Sequence, residues 1–190
     1  MIRSFLAFEL PGEMKEIVKS VHADLVKTAL DVKWVRPGNV HITVVFLGNV
    51  GTQDLALLGR EVSKVCSKYG MFEVELKGMG IFGGLRSPRV LWIGLGGDLE
   101  RMGFFRDAIS KRVTRFGIKQ EKRPFRPHLT LGRFRKGAKG GQILKDILKR
   151  YEGLTSERHM LRELTLFRSD LRPEGAQYTK IESWPLEGNK

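Results

Sequence analysis

Two short segments carry the same pair of chemically useful side chains. His41 and Thr43 lie in NVHITVVFLG at 39–48, and His128 and Thr130 lie in RPHLTLGRFR at 126–135. Both segments read as strands. Strand side chains alternate faces, so each His-x-Thr aims an imidazole and a hydroxyl the same way, with roughly 6.5–7 Å between their Cα atoms. Val40, Ile42, Val44 and Phe46 should then form the opposite, core-facing side of the first strand, and Leu129 and Leu131 that of the second. One His-x-Thr arises easily by chance. A pair that uses two of the chain's four histidines in similar strands does not.

Three chemistries compete for these residues. A metal site would have two histidines, but threonine is a poor neutral ligand and no third ligand stands out. A threonine nucleophile with a histidine base would be duplicated without purpose, and no acid lies near either motif to orient the ring. Two histidines across a cleft can instead serve as general acid and general base, since imidazole changes charge near neutrality. Two hydroxyls between them can donate to the non-bridging oxygens of a phosphate. His22 and His159 have no such partners and read as structural.

The elements that must position these groups follow from periodicity. Strands are expected at 4–10, 33–36, 40–47, 72–77, 90–95, 127–135, 161–167 and 177–184, and helices at 12–30, 54–69, 99–116 and 142–151. Gly70 and Gly117 are placed to close the second and third helices, and a glycine-rich turn is expected between 77 and 90. Strands and helices mixed without strict alternation favour an α+β fold with largely antiparallel sheets. The motif histidines are 87 residues apart, close to half of the 190-residue chain, which suggests a duplication. The expectation is one domain, 1–190, of two interleaved lobes centred on 39–48 and 126–135 and facing a central cleft.

Composition narrows the function. No apolar run approaches the roughly 20 residues that cross a bilayer, so no membrane role is expected. Cys66 is the sole cysteine, which rules out an internal disulfide framework or a cysteine zinc site. A cytoplasmic location follows by default. The net charge is +13, and residues 111–139 hold 11 Lys and Arg against one acid, Glu121. Such a stretch attracts polyanions by steering and counterion release. Neither a P-loop nor a Lys-x-Asp-Gly is present.

WVRPGNVHITVVFLG and FRPHLTLGRF resemble the paired signatures of the two-histidine phosphoesterases. RSFLAFELP at 3–11 and LTLFRSDLRPEGAQYTKIESWPL at 164–186 resemble the opening strand and closing hairpin of the RNA 2′,3′-cyclic phosphodiesterase branch, also called 2′-5′ RNA ligases. Val45 departs from the basic residue that many members carry there. The resemblance implies a bilobal fold with helices outside, and no metal or nucleotide cofactor. It implies His41 as general acid, His128 as general base, and Thr43 and Thr130 as phosphate holders. Arg126 shares the parity of His128, and Arg133 follows the motif, so both are candidate substrate-binding residues. By strict alternation Arg133 faces away, unless Gly132 allows a bulge.

The expected activity is hydrolysis of RNA 2′,3′-cyclic phosphate ends to a 2′-phosphate, with reversible 2′-5′ ligation open to the same groups. The expected partner is RNA with such ends, a tRNA fragment among the candidates. No protein partner is implied and a monomer is expected. The competing readings are a non-catalytic RNA-binding module and a two-histidine enzyme for another cyclic phosphodiester.

Overall fold

In a computed structural model of the chain, residues 1–121, 123–173 and 175–190 are described. The strands are β1 (Ile2–Glu9), β2 (Val32–Trp34), β3 (His41–Val50), β4 (Phe72–Gly84), β5 (Ser87–Gly97), β6 (His128–Phe134), β7 (His159–Leu161), β8 (Glu163–Arg172) and β9 (Gly175–Pro185). The helices are α1 (Gly12–Leu25), α2 (Leu55–Cys66), α3 (Leu99–Val113) and α4 (Gly141–Arg150). The fold is α+β, as expected.

Among the described residues the strands form one antiparallel sheet in the order β7-β4-β5-β6-β3-β1-β8-β9, with β2 also paired to β6. The two motif strands are its centre. They are joined at a single rung, Ile42 with Leu129, so the sheet has a five-stranded half that includes β2 and a four-stranded half, which meet between the motifs. One face is dry. Leu6, Phe8, Ile42, Leu91, Ile93 and Leu129 are fully buried there with Met14 of α1, Leu58 of α2 and Phe105 of α3. Truncating a residue such as Phe105 to alanine would cost about 3–5 kcal/mol through lost burial and the cavity left. The other face carries the smaller cluster of Phe5, Ala7 and Phe167, with Tyr178 packed on it. In sheet order β9 lies three strands from β3, yet the Asn39 side-chain amide donates to the Ala176 carbonyl at 2.7 Å. A flat sheet could not bring these together, so the sheet is curled and this second face is its concave side.

Several boundaries differ from the sequence reading. α1 ends at Leu25 rather than at 30, where the Thr28 hydroxyl turns back to the Leu25 carbonyl at 2.6 Å. Gly117 does close the short 3-10 turn after α3, with φ 77° and its N–H on the Thr114 carbonyl. Gly70 has no left-handed backbone, and α2 ends four residues before it. The expected glycine-rich turn is largely strand: β4 and β5 form one long hairpin through 84–87. Its glycines let Trp92 lie across the strand, where a Cβ at Gly80 would collide with the indole. β7, three residues long, was not legible from the pattern.

Candidate active site

The register around the central rung sets the motif residues in a rectangle. One step either side of Ile42–Leu129, His41 comes opposite Thr130 and Thr43 opposite His128. All four are partly exposed, while Ile42, Val44, Leu129 and Leu131 between them are buried. The motif face is therefore the concave one.

Each imidazole is held in the same way. His41 Nδ1–H donates to the Asn39 carbonyl at 2.7 Å, and His128 Nδ1–H donates to the Arg126 carbonyl at 2.7 Å. A carbonyl can only accept, so each ring carries its fixed proton on Nδ1 and leaves Nε2 for proton traffic. Burial pushes the pKa of His41 below the ordinary value of 6.5; the bond to Asn39 opposes this, and the charge of His128 adds to it. His128 is lowered as well, first by burial, against the Arg126 bond, and further by the Arg133 guanidinium.

Aromatic rings wall both histidines. Phe5 stacks on His41 at 4.7 Å between ring centroids, and Tyr178 meets it edge-on at 5.3 Å. Phe82 meets His128 edge-on at 4.8 Å, with Trp92 at 6.5 Å. These residues, and Asn39, escaped the sequence reading. Phe5 and Trp92 lie on the strands that flank the motif strands, whereas Phe82 and Tyr178 come from strands further out in the sheet and Asn39 from the turn before β3.

Strict alternation fails at the same place in both motifs. Leu6 pairs with Val45 but Ala7 with Thr43, so Val44 is an extra residue. Leu91 pairs with Gly132 but Trp92 with Thr130, so Leu131 is an extra residue. Each bulge falls three residues after its histidine and reverses the parity beyond it. Phe46, expected in the core, is 64% exposed and contacts Phe5 on the concave side at 6.3 Å. Val45 takes its place in the core opposite Leu6, so the departure at Val45 does not reach the cleft. On the other strand the bulge that Gly132 could allow is present. Arg133 is exposed and its charge acts on both His128 and Tyr178. The Arg126 side chain is also exposed and has no polar partner among the described residues; what it gives the site is its carbonyl.

The other histidines lie apart. His22 of α1 packs its ring against Trp34, and His159 Nε2 lies 3.3 Å from a Glu13 carboxylate oxygen. Among the described residues no three His, Cys, Asp or Glu side chains are grouped to hold a metal ion.

A curled antiparallel sheet with paired His-x-Thr strands at its centre places the chain in the two-histidine phosphoesterase class. Residues 13–173 match the model of the 2′-5′ RNA ligase superfamily, and the chain belongs to that family. An RNA 2′,3′-cyclic phosphodiesterase of Archaeoglobus fulgidus is 32% identical over 95% of this chain and 98% of its own length. That of Methanothermobacter thermautotrophicus is 30% identical over 97% and 99%. Among solved structures, TT0787 of Thermus thermophilus superposes with a TM-score of 0.82 at 23% identity over all of both chains. E. coli LigT complexed with 3′-AMP superposes with a TM-score of 0.75 at 24% identity over 97% of this chain and 98% of that one. These two support the fold.

Proposed function

We propose that the protein hydrolyses the 2′,3′-cyclic phosphate at an RNA end to a 2′-phosphate. The observation that carries the reading is the pair of imidazoles, each with Nδ1–H tied to a backbone carbonyl two residues upstream and Nε2 left to the cleft. A surface that merely retained RNA would not need two tautomers fixed alike. The relatives' names supply the substrate class.

In the proposed mechanism His128 Nε2 accepts a proton from water as the water oxygen bonds to phosphorus. The P–O3′ bond breaks, and His41 Nε2 donates its proton to the leaving 3′ oxygen. The phosphate stays on the 2′ oxygen. Thr43 and Thr130 donate to non-bridging oxygens, and Arg133 offsets their charge. With a 5′-hydroxyl end as the attacking group in place of water, the same proton transfers form a 2′-5′ linkage. The strained cyclic ester supplies the driving force.

The test is turnover of nucleoside 2′,3′-cyclic phosphates with the product isomer identified, in excess chelator. The expected product is the 2′-phosphate, with activity retained. A predominant 3′-phosphate would reverse the leaving-group assignment, and loss of activity restored by zinc or manganese would replace acid–base chemistry with a metal site. The pH dependence has a definite sign. The reactive form has one histidine charged and one neutral, and both pKa values are lowered in the free protein. kcat/KM should therefore be bell-shaped with its maximum on the acid side of pH 6.5. A maximum well above that would sink the assignment.

A further inference from the structure

We infer that the RNA strand leaving the cleft runs over a basic rim on the His128 side, formed by the β4–β5 turn and the loop that follows β6. This deepens the proposed function and rests on it. Two chain segments lead away from the His128 wall. One starts at Phe82, whose ring touches His128, and reaches Arg86 in the turn and Arg89 at the start of β5. From Phe82 to the end of β4 at Gly84 is roughly 7 Å of extended chain, and the turn that carries Arg86 follows directly. The other starts at Arg133, whose charge acts on His128, and reaches Lys136 and Lys139. The segments are joined: Val90 pairs with Arg133, and the Gly140 N–H donates to the Leu85 carbonyl at 3.0 Å. Arg86, Arg89, Lys136 and Lys139 are exposed and make no hydrogen bond or ion pair among the described residues. No acid occurs from 76 to 97 or from 122 to 145, so nothing in these segments offsets them.

The basic stretch of the sequence is divided differently. Arg112 and Arg115 lie 2.8 and 3.6 Å from the buried Glu61 carboxylate on α2, beneath the helical face. Arg123 pairs with Glu121 at 2.7 Å and Arg135 with Asp31 at 3.3 Å. Across the cleft Arg168 pairs with Asp170 and Lys180 with Glu9. The rim thus draws two of its cations, Arg86 and Arg89, from outside the stretch. Exposed cations without acid partners release counterions when phosphates replace them, by about 0.7 per contact on a single strand.

The test is a quadruple variant, Arg86→Gln, Arg89→Gln, Lys136→Gln and Lys139→Gln, compared with Lys111→Gln/Lys119→Gln on the α3 side. Each is assayed on a nucleoside 2′,3′-cyclic phosphate and on a single-stranded oligonucleotide ending in one. The rim variant should lose on the order of tenfold in kcat/KM on the oligonucleotide at low salt, show a shallower salt slope, and keep its mononucleotide activity. The α3 pair should leave both substrates unchanged. Equal loss on both substrates, no loss on either, or equal loss from the α3 pair would overturn the rim. Should the wild type turn over neither substrate, the proposed function fails. The rim is then judged by RNA retention, where an unchanged salt slope in the rim variant overturns it.

Discussion

The two halves of the sheet build the same backbone device and dress it differently. On each, a histidine donates Nδ1–H to the carbonyl two residues before it, and a bulge three residues after it turns the fifth residue into the cleft. That fifth residue is Phe46 on one side and Arg133 on the other. The His41 ring is stacked on Phe5 and edged by Tyr178, and its carbonyl partner Asn39 is braced by a side-chain bond to Ala176. His128 meets aromatic edges, and its carbonyl partner Arg126 has an exposed side chain with no brace among the described residues. In the proposed mechanism this division is what the chemistry asks for: proton transfer needs equal geometry on both sides of the phosphate, whereas the substrate presents different faces to the two sides.

The largest expected effect tests the shared part. His41→Ala and His128→Ala should each lower kcat by at least about 10²–10⁴-fold, and the double variant should be little worse than the worse single, because acid and base act as a unit. Thr43→Ala and Thr130→Ala should each cost about 2–4 kcal/mol in kcat if both hydroxyls stabilise transition-state charge. A near-normal rate for either histidine variant would remove the mechanism.

The next effect tests the part that differs. Arg133→Ala should lower kcat by about ten- to a hundredfold, as expected for loss of a charged partner to the phosphate. Phe46→Ala should raise KM about tenfold and spare kcat, as expected for loss of a stacking surface. If both variants fall in kcat alike, the two sides do the same work and the comparison fails.

The smallest effect concerns the brace. Asn39→Ala keeps the carbonyl that His41 needs but removes the tie to β9, and should lower kcat by about tenfold through misplacement of the ring. NMR should show its His41 with more of the Nε2–H tautomer and its His128 unchanged. Arg126→Ala, which removes no brace, should leave both rings as they are. Identical tautomers in Asn39→Ala and the wild type would reduce Asn39 to a bystander.

The four motif residues and the α+β class were legible because period-two patterning is local and the motif is repeated. Parity beyond each histidine was not. A bulge is a property of two paired strands, and nothing in VVFLG alone tells that Val44 is the extra residue. Phe46 was therefore misplaced in the core, while Gly132 gave at least a hint for Arg133. The hairpin of β4 and β5 was shortened to a turn because its glycines signal turns locally, yet serve here to admit the Trp92 ring. The brace from Asn39 to Ala176 spans 137 residues and leaves no local trace.

The same brace bears on the order in which the site is assembled. The His128 wall draws on residues between Phe82 and His128, whereas the His41 wall joins Phe5, His41, Phe167 and Tyr178. Closing the longer loops costs more chain entropy, and contacts of wide sequence separation form late. On a ribosome, synthesis at about 5–20 residues per second puts a few seconds between the emergence of β6 and that of β9. During that interval His128 can already lie against its rings, while His41 lacks Tyr178 throughout and Phe167 until β8 has emerged. The tie between Asn39 and Ala176 is thus among the last contacts of the site to form, because it waits for β9 to dock.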